Sequence, residues 1–313
     1  MAAETIDRIV AAALDAEVRS CRRPREGSIA ETAVLELDSE PNEAVCKLGG
    51  ASVWTGDVIE PLVVERVGEE TDLPVPDVLA TGSLADGELD RSIERWALYE
   101  RLSGTNPKSE YADLEPAARR RLIADAGESL GRLHATSALS FDRVGGLRRD
   151  DGAEQIGGCL ELCDPDGWHA IDPGVGGKAI PVPLAGDADC RPVLTHGDYH
   201  PGNVLVGSNG KITAILDWGN AHVTHSEYAL ARAEARFVDV YASRLRRKER
   251  ARLRRIFRRA YAVGGELENG FDRRAPVYKL LWALQSGANY AQIARSARGR
   301  RQLWRQCRRT LER

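Results

Sequence analysis

One carboxylate, one amide and two imidazoles crowd the segment His196-Gly197-Asp198-Tyr199-His200-Pro201-Gly202-Asn203. Two apolar runs follow, Val204-Leu205-Val206 and Ile212 to Leu216, joined by Gly207-Ser208-Asn209-Gly210, and the second ends at Asp217-Trp218-Gly219. Asn-Gly between apolar runs signals a β-hairpin. Pairing about Ser208-Asn209 sets Asn203 roughly opposite Ala214, which brings Asn203 and Asp217 to one end of the hairpin. Asp198 then sits on the loop just before it. Magnesium takes hard oxygen ligands and keeps several waters, so one carboxylate and one amide oxygen suffice alongside nucleotide phosphates. A separate carboxylate can orient an acceptor hydroxyl and take its proton. A rival chemistry lies in the same residues, since His196, Asp198 and His200 could form a hydrolytic metal cluster. Such a site wants further ligands, and His134, His169, His222 and His225 show no ligand spacing.

The elements that must position these groups follow from periodicity. Ile6, Ile9, Val10, Ala13, Leu14 and Val18 have helical spacing. Thr32 to Leu37 and Ala44 to Leu48 read as strands about the turn Ser39-Glu40-Pro41-Asn42. A helix carrying Glu60 and ending near Gly68 comes next, then short strands at Val78-Leu79 and Trp96 to Leu102. Ser103-Gly104-Thr105-Asn106-Pro107 reads as a linker. Beyond it a helix begins near Pro116, with Leu122, Ala126, Leu130, Leu133 and His134 on one face. Residues 140–190, rich in Gly, Pro and Asp, read as an irregular excursion. After the hairpin the pattern is helical, with Val277, Leu280, Leu281, Leu284 and Ala288 on one face after Pro276. A strand-rich lobe over residues 1–102 and a helical lobe over 103–313 emerge.

The run H-G-D-Y-H-P-G-N-V-L-V, with I-L-D-W, resembles the aminoglycoside phosphotransferase family, the small-molecule branch of the protein-kinase-like fold. That branch includes kinases of choline, homoserine and fructosamines. The resemblance implies an α+β, two-lobed fold with a small antiparallel-sheet lobe and a larger, mainly helical lobe. It further implies ATP and Mg as cofactors, a small-molecule hydroxyl as acceptor, and Asp198 as catalytic base with Asn203 and Asp217 on magnesium. Lys47, in Ala-Val-Cys-Lys-Leu, falls where the family contacts nucleotide phosphates, with Glu60 as its helix partner. Ala97 to Gly104 resembles the hinge, where backbone groups near Glu100 and Leu102 would hold adenine. Ser28, after Gly27, falls at the phosphate-covering turn, which has fewer glycines than a typical nucleotide loop. The family commonly continues after Asp-Trp with Gly-Asp-Pro and a later Asp before Leu-Ala. This chain has Thr224-His225-Ser226, and Ala229 before Leu230-Ala231.

Composition bounds the alternatives. The 313 residues are 42% hydrophobic and 29% charged, ordinary for a globular protein. No stretch approaches the roughly 18 apolar residues of a membrane span, and Met-Ala-Ala-Glu-Thr-Ile-Asp lacks the basic start of a signal peptide. A cytoplasmic protein with no membrane partner is expected. The six cysteines are too sparse for a disulfide framework, and Cys159 and Cys163 read as buried small hydrophobes. The C-x3-C pair Cys159/Cys163 could share a helical face, but only His169 lies near enough to complete a zinc set. The net charge of −3 conceals an asymmetry: −13 over residues 1–100 and +16 over 240–313. Leu253, Ile256, Phe257 and Ala260 run beneath the basic stretch Arg244–Arg259, so its arginines are expected on a solvated face. A positive C-terminal region argues against polycationic acceptors and toward neutral or anionic ones. Asp151, Glu154, Glu161, Asp164 and Asp166 could still line a cationic pocket. Two other classes are a retired kinase that holds nucleotide without turnover, and a nucleic-acid or acidic-partner binder acting through the arginine-rich helices.

Overall fold

Alternating burial along two strands sets the frame of the first lobe. The computed structural model describes residues 3–24, 30–84, 95–150, 159–162 and 191–288. Helix α1 (Ala3–Leu14) precedes strands β1 (Val18–Arg22), β2 (Ala30–Leu37) and β3 (Glu43–Gly49). Helix α2 (Glu60–Glu70) is followed by β4 (Val78–Ser83) and β5 (Arg95–Glu100). The five strands form one antiparallel sheet in the order β1-β2-β3-β5-β4. Successive strand residues point to opposite faces. Ala44, Cys46, Leu48 and Leu98 therefore join Ile6, Ile9 and Val10 of α1 in one core. Ala97 and Tyr99 face the other way, with Ile59, Val63, Val64 and Val67 at α2. Lys47 shares that second parity. Val18 starts a strand and does not extend the first helix as its spacing suggested, because the chain reverses at Asp15, whose φ is 50°.

The second lobe is built on helix α3 (Pro116–Ala135). Strands β6 (Gly145–Asp150), β7 (Cys159–Leu162) and β8 (Pro192–Thr195) follow, then β9 (Val204–Val206), β10 (Ile212–Ile215) and β11 (His222–His225). Helix α4 (Ser226–Glu234) runs into a π-helical turn, Ala235–Val240, and α5 (Arg247–Gly264) and α6 (Phe271–Ala288) complete the lobe. Strands β7-β6-β11-β8 form a second sheet. Within the stretch expected to be irregular, residues 145–150 and 159–162 thus form strands, and Cys159 sits on a strand, not a helical face. Helices α3 and α5 approach so closely that a Cβ at Gly127 would lie 2.3 Å from Phe257 O, and one at Gly131 2.3 Å from Tyr261 O. On α6 the buried face is Phe271, Ala275, Tyr278 and Trp282, leaving Val277 41% exposed. Cys46 is buried, and Cys21, on the edge strand, is exposed. Among the described residues no helix is long and apolar enough to cross a membrane.

The basic face of α5 is largely exposed, as expected, but two of its arginines depart from that pattern. Arg254 and Arg258 turn inward onto Glu234, which is fully buried, and Lys279 of α6 joins them. Arg254 Nη2 also lies 2.7 Å from Asp239 Oδ1, and Lys279 Nζ 2.7 Å from Asp239 Oδ2. The helical wheel predicts which side is apolar, but long arginine stems can fold back to an acid on a neighbouring helix.

Candidate active site

Parity and a helix start bring the first two residues together. Glu60 occupies the first turn of α2, where Pro61 suits the helix entry and the positive end of the helix favours a carboxylate. Lys47 Nζ, on the α2 face of the sheet, lies 2.7 Å and 3.0 Å from the two Glu60 carboxylate oxygens. It also lies 3.4 Å from Asp217 Oδ1, so one ammonium links the two lobes. Burial pulls the Lys47 ammonium toward neutrality, but the Glu60 and Asp217 carboxylates outweigh it and hold the group cationic. Glu65, the rival acid on the same helix, is exposed.

The hairpin end is closer-knit than expected. Val204 pairs with Ile215 and Leu205 with Ala214, and Leu216 N donates to Asn203 O at 2.9 Å. Asn203 is therefore opposite Leu216, not Ala214, and sits beside Asp217. Two features cause the shift: the turn closes from Gly207 to Lys211, and the register slips between Ile212 and Ala214. Asp217 adopts a left-handed backbone, φ 68° and ψ 61°, which Asp tolerates better than most residues. The next residue, Trp218, donates its N–H to Glu60 Oε1 at 3.2 Å.

His196 fixes the loop between them. Its Nε2 lies 2.9 Å from Leu216 O, and its Nδ1 accepts from the Asp198 N–H at 3.3 Å. A carbonyl accepts only, so the Nε2–H tautomer of a neutral ring satisfies both contacts. Burial drives the imidazole well below its ordinary pKa, outweighing Asp198 and Asp217. With both ring nitrogens engaged, His196 cannot ligate a metal, which removes the hydrolytic cluster. Gly197 (φ 74°) is demanded by space as well as by backbone: a Cβ there would sit 1.8 Å from Asn220 O.

Asp198 faces three partners. Arg236 Nη1 pairs with Oδ1, His200 Nε2 lies 3.3 Å from Oδ2, and Asn203 Nδ2 reaches Oδ2 at 3.2 Å and the Asp198 carbonyl at 3.0 Å. Burial pushes the carboxyl up, but the Arg236 guanidinium and His200 prevail and hold it far below the usual carboxylate range. His200 keeps its orientation because its Nδ1 accepts from Gly202 N at 2.8 Å and its ring stacks on Tyr241. Asn203 Oδ1 takes part in no hydrogen bond among the described residues. With the 54% exposed Asp217 carboxylate, it forms a pair of hard oxygen donors at one hairpin end. That donor set suits a magnesium ion that keeps waters and phosphate oxygens.

Glu100 and Leu102, expected on the adenine side, stand apart from this cluster. Glu100 N–H is already spent on Asp77 O at 2.9 Å, whereas Leu102 N–H makes no hydrogen bond among the described residues. Residues 103–106 are stitched to the hairpin: Thr213 Oγ1 donates to Ser103 O at 2.6 Å, and Asn106 Nδ2 donates to Gly202 O at 2.7 Å. Thr105 and Val206 exchange two backbone bonds of 3.0 Å. Ser28 lies outside the described residues, as do Gly27, Asp151, Glu154, Asp164, Asp166, Cys163 and His169, and only the backbone of Glu161 is described. Arg236 and Arg232 are the site residues that sequence reasoning missed. Their one signal, a spacing of four after Leu230-Ala231, is common on helices and points to no target.

A model of the phosphotransferase enzyme family matches residues 64–277. No curated protein matches the chain by sequence. Among solved structures, the chain is similar to macrolide 2'-phosphotransferase MphH from Brachybacterium faecium, at 18% identity and TM-score 0.57 over 96% of each chain. It is also similar to a thermostable mutant of aminoglycoside phosphotransferase APH(4)-Ia in ternary complex with AMP-PNP and hygromycin B, at 18% identity and TM-score 0.52 over 98% of each chain. Amicoumacin kinase hAmiN, in complex with AMP-PNP, Ca2+ and Ami, aligns at 12% identity and TM-score 0.66, covering 99% of this chain and 93% of its own. The fold is the two-lobed, protein-kinase-like α+β fold that the sequence resemblance implied.

Proposed function

This chain belongs to the phosphotransferase enzyme family, and we propose that it transfers the γ-phosphoryl group of ATP to a hydroxyl of a small molecule. The observation that carries the reading is the unbroken run of contacts from Lys47 through Glu60 and Asp217 to the hairpin that holds Asn203 and Asp198. Phosphoryl transfer asks little covalent chemistry of a protein and much positioning and charge stabilisation. In this reading Lys47 positions the nucleotide phosphates and Glu60 aims Lys47. Asn203 and Asp217 hold magnesium, which when bound neutralises phosphate charge. Asp198 orients the acceptor hydroxyl and takes its proton. The carbonyl of Glu100 and the N–H of Leu102 take the adenine, and the turn at Ser28 covers the phosphates. Residues 1–102 then form the nucleotide lobe and 103–313 the catalytic and acceptor lobe. AMP-PNP in the complexes of two relatives supports nucleotide use.

The test is Mg-dependent ADP release from ATP, measured with a panel of hydroxyl acceptors and with Asp198→Asn as control. Release stimulated by an acceptor and abolished in the variant is expected. Stimulation that survives in the variant refutes the assignment of Asp198.

A further inference from the structure

The carboxylate proposed to receive the acceptor hydroxyl is occupied by the protein itself. Arg236 Nη1 pairs with Asp198 Oδ1, and the Arg236 and Asp198 side chains are 19% and 27% exposed, so the pair opens toward solvent. One helical turn earlier, Arg232 brings a second guanidinium toward the same place. It lies within electrostatic reach of both Arg236 and Asp198. Arg232 Nε and Nη1 are buried and have no hydrogen-bond partner among the described residues. Two cations thus converge on one carboxylate, and the nearer one has taken it.

Buried guanidinium donors left without a partner are costly, because they give up hydration with nothing in return. A planar guanidinium recovers that cost best from a carboxylate or phosphate, whose two oxygens match its fork. A cationic acceptor would meet like charge here and would find Asp198 already paired. We propose that the acceptor is a hydroxyl compound bearing a compact oxyanion, carboxylate or phosphate, which seats on Arg232 and Arg236. The anion gives Arg236 a second partner and frees Asp198 Oδ1 to face the acceptor hydroxyl. Arg232 is then a specificity-determining residue, and Arg236 both binds the acceptor and gates the base. This inference rests on the phosphotransferase reading above for the identity of the acceptor side.

A matched set of polyols separates charge from shape: gluconate and glucitol 6-phosphate carry an anion, glucitol is neutral, and glucamine is cationic. Their binding is measured by calorimetry on the full chain with Mg·AMP-PNP present. One or both anions are expected to bind about tenfold or more tighter than glucitol, and glucamine weakest, from the worth of a charge-assisted hydrogen bond. Which anion wins distinguishes a carboxylate acceptor from a phosphorylated one. The preference should shrink to within about threefold in Arg232→Gln and Arg236→Gln. The wild-type ranking stands even if either variant fails to fold. Preference for glucamine, or no preference for either anion, overturns the proposal. Binding of Mg·AMP-PNP is titrated separately, with Lys47→Ala as control. Its absence sinks the kinase reading, while the anion ranking still reports on the arginine pair.

Discussion

Lowering the pH from 7 to 5 should destabilise this protein by several kcal/mol, through imidazoles that the fold holds neutral. His134 and His222 are buried, at 4% and 1% exposure. Burial is the main cause that drives each from an ordinary 6.5 down to about 3, and Arg191 and Arg232 respectively push the same way. A group whose folded pKa lies below its unfolded one takes its proton first in the unfolded chain. Its stabilising contribution is therefore complete above 6.5 and is lost as pH falls toward 3. At pH 5 the unfolded imidazole is largely charged while the folded one is not. With 1.36 kcal/mol per pKa unit, each contributes a loss of about 2 kcal/mol relative to pH 7. Together they remove about 4 kcal/mol, a large share of the 5–15 kcal/mol typical of a domain, and His196 adds in the same direction. Urea unfolding followed by tryptophan fluorescence between pH 7 and 5 measures the loss. Each ring presents Nδ1 to its partner, 2.9 Å from the Tyr261 hydroxyl and 3.0 Å from Asn220 O. Asparagine carries a donor at that position, so His134→Asn and His222→Asn are the matched variants. Each should flatten the profile by about 2 kcal/mol. A variant whose stability falls as steeply as wild type over that interval refutes a buried neutral imidazole at its site.

Asp198→Asn should cut turnover by at least about a thousandfold, a general-base contribution plus lost orientation, while Mg·ATP affinity stays within a few-fold; initial rates and nucleotide titration check this. Glu60→Gln removes the charged partner of Lys47, and kcat/KM for ATP should fall about 10–100-fold, the worth of a charge-assisted hydrogen bond. Gly197→Ala places a Cβ 1.8 Å from Asn220 O and should cost about 3 kcal/mol or more with loss of activity, as thermal unfolding and ADP release would report. Glu234→Gln leaves Arg254, Arg258 and Lys279 undercompensated and should destabilise the helical lobe by about 3–5 kcal/mol. Burial raises the Glu234 carboxyl but Lys279 and Arg258 bring it below 4.5. Its contribution is therefore lost only as pH drops below that value, at more acid pH than the histidine losses.

Much of this was legible in the residues. The hairpin signal, the strand that carries Lys47 and the helix that carries Glu60 are local patterns, and local patterns survive folding. The pairing register differs by two residues from the one expected, one from the turn that closes at Gly207 and Lys211 and one from the bulge beside Thr213, whose hydroxyl bonds Ser103 O in a segment far away in sequence. Strands β6 and β11 lie in segments without clean alternation and form because each pairs with a distant partner. The same reason hid Arg236, whose role depends on a π-helical turn aiming it at Asp198. The inward arginines of α5 escaped notice because their acids belong to other elements.

The loop before α2 belongs to the second lobe as much as to the first. Val53 N donates to Asn220 Oδ1 at 3.1 Å, Trp54 Nε1 to Asn220 O at 3.2 Å, and Thr55 Oγ1 to Leu147 O at 2.8 Å. Arg149 N donates to Asp57 Oδ2 at 2.7 Å, and the apolar side of α2 shares the core of the helical lobe. In regulated protein kinases the corresponding lysine–glutamate pair is made and broken by moving its helix. Here that helix is moored at its entrance by these hydrogen bonds and along its length by the shared core, with Lys47 Nζ 2.7 Å from Glu60 Oε1. Moving Glu60 away from Lys47 would therefore also strain contacts with the second lobe, because Glu60 accepts from Trp218 N as well.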